Sequence, residues 1–242
     1  MPKPIVVLGA NGGIGRAIAL RLAGEGRPLI LGGRDADRLA EVSGRTGCGD
    51  LLVCDCTDEG SVKRAFEAVA GEHGALAGLV FSVARPFKYR LAHRTPWEVF
   101  AEQIDSQLKA LHSVAAAAFP LLSAHEGTAR LVVIGSELTL GAPPLKTAPY
   151  AAAKSAMSAY AQVIAQEWLK HGIRVHILAP GLVRTELVAD MPDAFLDQIA
   201  EAMPEKRLTA AEDVAAMVAF CMTDAADLLY GTPIRVSRAG RR

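Results

Sequence analysis

Ile5-Val6-Val7-Leu8-Gly9-Ala10-Asn11-Gly12-Gly13-Ile14-Gly15 is the stretch whose reading decides the fold. Four apolar residues have the length of a buried strand, and they run straight into glycine. Arg16-Ala17-Ile18-Ala19-Leu20-Arg21-Leu22-Ala23 then continues as helix. A strand that turns on glycine into a helix carries free backbone N–H groups to the helix start, with no side chain in the way of an anion. Gly9, Asn11, Gly12, Gly13, Ile14 and Gly15 are therefore candidate ligands of a pyrophosphate. The glycine spacing is G-x-x-x-G-x-G and not the commoner G-x-G-x-x-G. The helix that follows at once is what distinguishes a cofactor cradle from an ordinary tight turn.

Outward from this unit, the same rhythm repeats. Pro28-Leu29-Ile30-Leu31, Leu51-Leu52-Val53-Cys54, Leu76-Ala77-Gly78-Leu79-Val80-Phe81, Leu131-Val132-Val133-Ile134, Ile173-Arg174-Val175-His176-Ile177-Leu178 and a last run over 233–236 read as strands. Helices are expected over 35–42, 60–70, 97–118 (as one long helix), 150–171 and 211–222. This alternation describes an α/β fold, a parallel sheet with helices on both faces. At 242 residues, without a linker, a repeat or a break in composition, the chain reads as one domain over 1–242.

Composition narrows the classes of function. The 26 basic residues balance 26 acidic ones, so no overall field draws the protein to nucleic acid or to an anionic membrane. Apolar runs are strand-length or belong to alanine-rich helix, and the start of the chain lacks the pattern of an export signal, so a cytoplasmic location is expected. Cys48, Cys54, Cys56 and Cys221 have neither a disulfide framework nor metal-ligand spacing around them and read as buried thiols, with no metal site. Arg238, Arg241 and Arg242 read as a solvated basic end.

Several residues suggest chemistry. The second strand ends at Gly32-Gly33-Arg34, where a dinucleotide's adenosine ribose would lie; glycine leaves room, and the Arg34 fork of donors suits a 2′-phosphate, favouring NADP(H) over NAD(H). Asp55, at the tip of the third strand, is either an adenine acceptor or a turn acid, and Thr57 or Asp58 can cap the next helix. Segments 82–96 and 182–204 interrupt the rhythm as substrate loops, the second as a mobile lid. Arg85, Lys88, Arg90, His93 and Arg94 in the first suit an anionic substrate or carrier, or simply a solvated loop. Tyr150 and Lys154 are one helical turn apart on one face, and Ser136 ends the fifth strand. An ammonium beside a phenol is expected to lower the phenol pKa toward neutrality and make it usable as a proton donor or acceptor.

Together these residues resemble the short-chain dehydrogenase/reductase family, and its ketoacyl-reductase-like members in particular, over nearly the whole chain. The resemblance implies a single-domain Rossmann-type doubly wound sheet that holds a nicotinamide cofactor and a carbonyl or alcohol substrate. Gly9-Ala10-Asn11-Gly12-Gly13-Ile14-Gly15 is similar to the family's phosphate loop, with Leu8 in the usual place of threonine. Asp55 matches its adenine-contacting aspartate, Ser136, Tyr150 and Lys154 its catalytic serine, tyrosine and lysine, and Gln107 stands at its catalytic asparagine. Ala179-Pro180-Gly181-Leu182-Val183-Arg184-Thr185 is similar to the segment that holds the nicotinamide carboxamide, which implies roles for Pro180, Gly181, Val183 and Thr185; Lys154 is expected to bind the nicotinamide ribose as well. Phe81-Ser82-Val83-Ala84 departs from the usual Asn-Asn-Ala-Gly, removing side chains that support the central sheet.

The reaction implied is hydride transfer between NADP(H) and a ketone or ketoacyl group, possible on a carrier-bound substrate. Phe87, Leu138, Leu187 and Met191 are the pocket candidates, with Tyr89, Leu140 and Phe195 beside them. The resemblance also implies a homotetramer or homodimer built on the helices 97–118 and 150–171. The departures leave two alternatives, a non-catalytic nucleotide-binding or assembly protein and a same-fold epimerase or elimination enzyme.

Overall fold

The computed structural model describes residues 2–238. Seven strands, β1 (Ile5–Leu8), β2 (Leu29–Gly33), β3 (Asp50–Val53), β4 (Gly78–Phe81), β5 (Ala129–Ile134), β6 (Ile173–Pro180) and β7 (Pro233–Val236), form one sheet in the order β3-β2-β1-β4-β5-β6-β7. All pairings are parallel, so every connection must cross from one end of the sheet to the other. The crossovers carry α1 (Gly13–Gly24), α2 (Ala36–Thr46), α3 (Glu59–His73), α4 (Trp97–Ile104), α5 (Ala110–Ser123), α6 (Ala148–Trp168), α7 (Asp193–Glu201) and α8 (Ala211–Cys221). The chain winds outward from β1 to β3, then returns beside β1 and winds the other way. A crevice opens at that reversal, outside the carboxyl ends of β1 and β4.

The alternating side chains of β1 show why both faces are covered. Val6 and Leu8 join Phe66 of α3, Leu111 of α5 and Met157 of α6 in one core, while Ile5 and Val7 join Ile18 of α1, Leu39 of α2 and Val218 of α8 in the other. Successive residues of a strand point to opposite faces, and here both faces are apolar. Asp35 caps α2 by accepting from Arg38 N–H at 3.1 Å, and Gly47 ends that helix in the left-handed region at φ 68°.

The expected helix over 97–118 differs in detail. Its helical path runs from Trp97 to Ser123, and a wide π turn at Asp105–Lys109 separates α4 from α5. The last strand's neighbourhood also corrects the reading of Arg238 as solvated. Its guanidinium is 2.8 Å from Glu205 and also pairs with Asp213, tying the chain after β7 to the start of α8. Ala239, Gly240, Arg241 and Arg242 lie outside the described residues. Cys54, Cys56 and Cys221 are buried free thiols as expected, and Cys48 is half-buried. Among the described residues no helix is long and apolar enough to cross a membrane.

Two glycines decide how β1 turns. Gly9 has φ +82°, and a Cβ there would lie 2.5 Å from the Ser82 carbonyl oxygen at the end of β4. A Cβ on Gly15 would lie 2.0 Å from the Gly9 carbonyl oxygen, closer than any side chain can come to backbone. Gly24, at the far end of the same helix, has open space around it. Gly15→Ala is therefore expected to lower stability by about 1–3 kcal/mol, and Gly24→Ala to raise it by about 0.4–1 kcal/mol. Urea unfolding of the two variants beside the parent protein checks both signs.

Candidate active site

The crevice begins at the phosphate loop. α1 starts from Gly12, which offers no capping side chain, and its first turn contains no acidic residue. Its leading N–H groups consequently look for an anion from elsewhere. One finds it within the chain: Gly13 N–H donates to Glu186 Oε2 at 3.1 Å. A carboxylate thus sits where a phosphate oxygen would fit, and the loop's own chemistry suits the diphosphate of a dinucleotide.

Ser136 follows β5 in extended conformation, and a 3₁₀ turn at Glu137–Leu140 begins directly after it. Tyr150 and Lys154 lie on α6, buried at 7% and 1% exposure. The Lys154 amine donates to the Ile134 carbonyl at 2.9 Å, at the end of β5, and stands 5.8 Å from the centre of the Tyr150 ring. Strand end and helix face therefore bring all three groups together, and Tyr150 and Lys154 share a helix face as their spacing predicted.

Their electrostatics differ from the sequence expectation. Burial pushes the Tyr150 phenol up to about 12; a hydrogen bond with Ser136 pulls it down less strongly, and nearby Tyr89 adds to the rise. Burial also draws the Lys154 amine down to about 7. The expected lowering of the phenol by the lysine is thus not found. The desolvation that encloses both side chains penalises both charges, so the lysine is only partly charged near neutrality.

These groups open onto a cavity of about 700 Å³ that also reaches Gly12, Gly13, Ile14 and Gly15 of the phosphate loop. Pro180, Gly181, Val183 and Thr185 line it, as do Phe87, Leu138, Leu187 and Met191 and the flanking Tyr89 and Phe195. Phe87 stacks on Tyr150 with ring centres 4.8 Å apart and planes 15° apart, and it touches Tyr89 at 4.8 Å. Leu140 is not among the lining residues, so its sequence assignment to the wall is corrected: it closes the 3₁₀ turn after Ser136 instead.

Five expected site residues, Gly9, Asn11, Gln107, Asp55 and Arg34, are not among those that line this cavity. Gln107, on the π turn, is fully buried; its Nε2 donates to Gln103 Oε1 at 2.8 Å, and its own Oε1 has no protein partner. Asp55 spends Oδ1 on Thr57, accepting from its N–H at 2.9 Å and its hydroxyl at 2.8 Å, so it behaves as the turn acid that the sequence also allowed. Asp58, not Asp55, caps α3, accepting from Gly60 N–H at 3.0 Å. Arg34 is exposed just after β2. Its charge helps hold the Asp55 carboxyl below the usual range, behind the larger effect of the Thr57 N–H. In the unusual Phe81-Ser82-Val83-Ala84 segment, Phe81 is buried in the core where the usual motif has its first asparagine, and Val83 packs half-buried against the same core.

Other lining residues escaped the sequence reading. Ile199 and Met203 line the cavity with Phe195. Phe195 and Ile199, four apart, share a face of α7, a spacing legible in the sequence, and Met203 follows just past the helix end. Glu137 and Lys146 also line the wall, without any motif to announce them.

Comparison with known proteins agrees with this geometry. A family model described as enoyl-(acyl carrier protein) reductase matches residues 9–238. The 3-oxoacyl-[acyl-carrier-protein] reductase FabG of Escherichia coli is 30% identical over 240 residues, covering 97% of this chain and 96% of its own length. MabA of Mycobacterium avium, a 3-oxoacyl-[acyl-carrier-protein] reductase by name, is 31% identical over 237 residues, 97% of this chain and 88% of its own. Among solved structures, a short-chain type dehydrogenase/reductase from Mycobacterium ulcerans has a TM-score of 0.88 at 27% identity, covering 97% of this chain and 88% of that one. A 3-ketoacyl-(acyl-carrier-protein) reductase from Brucella melitensis, complexed with NADH, shares the fold with a TM-score of 0.90 at 23% identity over 99% of this chain and 98% of that one. Phosphate loop, buried serine–tyrosine–lysine group and sequence similarity converge: the chain belongs to the short-chain dehydrogenase/reductase family, as a ketoacyl-reductase-like oxidoreductase.

Proposed function

We propose that this protein is an NADP(H)-dependent reductase that converts a ketone or ketoacyl group to a secondary alcohol. The observation that carries this reading is the meeting of Ser136, Tyr150 and Lys154 in one cavity shared with the phosphate loop. A nicotinamide cofactor held there supplies the hydride. Gly12, Gly13, Ile14 and Gly15 hold its diphosphate, Pro180, Gly181, Val183 and Thr185 its carboxamide end, and Lys154 its nicotinamide ribose. Asp55 keeps one carboxylate oxygen for the adenine amine.

Ser136 donates to the substrate oxygen and stabilises the negative charge that develops on it. Tyr150 delivers the proton. With its pKa raised to about 12, the phenol holds its proton at neutral pH and has it to give when the carbonyl is reduced. As the proton leaves, negative charge grows on the phenol oxygen close to an amine that titrates at about 7. The protonated form of Lys154, populated near neutral pH, offsets that charge, where the low dielectric makes the attraction strong. Gln107 Oε1, buried and without a protein partner, is the acceptor to which a relay water attaches.

Phe87, Leu138, Leu187 and Met191 give the cavity an apolar wall that suits an aliphatic or aromatic chain next to the carbonyl. The names of the E. coli and M. avium relatives support a ketoacyl substrate held on a carrier. Arg34 supports the choice of NADP(H): it is exposed just after β2, where a dinucleotide's adenosine ribose would lie, and its guanidinium suits a 2′-phosphate. Half-exposed Val163 on α6 and the exposed Ala116 on α5 supply apolar surface for a homodimer or homotetramer, which we place in the cytoplasm.

Two experiments test this reading. Tyr150→Phe is expected to cut ketone-dependent NADPH oxidation by about 10²–10⁴-fold, while fluorescence titration shows cofactor binding within a few-fold of the parent. Retained turnover in this variant would remove Tyr150 from the chemistry. Arg34→Ala is expected to weaken NADPH by at least about tenfold, the loss of a charge-assisted phosphate contact, and to leave NADH nearly unchanged. Equal losses for both cofactors would remove Arg34 from the choice between them.

A further inference from the structure

Glu186 has no part in the reaction just described, yet it occupies the phosphate loop. Its hydrogen bond to Gly13 joins residues 173 positions apart, the start of α1 and the first turn of the lid. Thr185 accompanies it: a Cβ on Gly13 would lie 2.6 Å from Thr185 Cγ2, so the Thr185 side chain rests directly on the loop. Arg38 of α2 reaches the same place from the other side. Its Nη2 donates to the Asn11 carbonyl at 3.1 Å and stands 3.8 Å from Glu186 Oε1. The next part of the lid moves with this contact, because Arg184 pairs with Asp193 at 2.6 Å and Asp197 at 2.5 Å on α7.

A carboxylate and a phosphate oxygen compete for one N–H, and two anions there repel. We infer that Glu186 is an internal anion that holds the lid on the phosphate loop until a cofactor's diphosphate displaces it from Gly13, so that this residue sets cofactor affinity. The inference rests on the dinucleotide reading above. The exchange runs toward the cofactor because a diphosphate meets several loop N–H groups and the released Arg38, whereas Glu186 meets one N–H and one distant guanidinium. The Glu186 and Arg38 side chains are 55% and 49% exposed, which makes the latch weak enough to open.

Glu186→Gln, which keeps the shape and removes the charge, tests this in the full-length protein. Hydrogen–deuterium exchange over 182–204, measured without cofactor, is expected to speed up. Calorimetric titration is expected to show NADPH and inorganic pyrophosphate both binding about threefold to tenfold more tightly. Unchanged exchange over 182–204 would overturn the latch, and weaker binding of either probe would overturn the competition. If neither protein binds either probe, the dinucleotide reading fails with the affinity part of the proposal, while the exchange data still decide whether Glu186 holds the lid.

Discussion

The enclosure of Lys154 is the constraint on which the site depends. An amine that is almost wholly removed from water gains one hydrogen bond, to the Ile134 carbonyl, and pays for its burial by giving up charge. The same enclosure drives the Tyr150 phenol upward. The phenol is thereby left neutral around physiological pH and the amine close to its midpoint, so each is sensitive to any charge that arrives beside it. An acid–base pair built this way stores its reactivity in desolvation; it does not need a permanent ion pair.

The fold supplies that enclosure through the geometry of strand ends. β5 ends at Ile134, so the carbonyl that holds Lys154 and the hydroxyl of Ser136 lie two residues apart at the sheet's carboxyl edge. α6 lays Tyr150 and Lys154 across this edge, and Phe87 stacks over the phenol from the loop after β4. Gly9 and Gly15 let β1 turn flat against β4, which keeps the phosphate loop within the same cavity. Catalytic group and cofactor cradle are thus consequences of one sheet order.

Much of this was legible in the chain. The apolar runs fixed seven strands because both faces of the sheet are covered, and the four-residue offset of Tyr150 and Lys154 survived intact because it lies inside a regular helix. Element ends were less legible. The π turn at Asp105–Lys109 leaves helical periodicity nearly undisturbed, so the sequence could only suggest one long helix. The sign of the Tyr150 shift was hidden for a different reason. Spacing reports that a lysine is near but says nothing of how much water either group keeps. Glu186 was missed because its contact spans most of the chain, and no local pattern marks a carboxylate that will meet a distant N–H. Ile199, by contrast, is one helical turn from Phe195 on α7, a spacing that the mixed polarity of the lid obscured.

The most direct test is the titration of Lys154 itself. NMR of the protein carrying ¹³Cε-labelled lysine, with Lys154 assigned by comparison with Lys154→Met, follows its ionisation in the absence of cofactor. The account predicts a midpoint near 7. A midpoint close to the ordinary lysine value of about 10.4 would mean that the amine stays charged in place, and would contradict a site whose chemistry is set by desolvation.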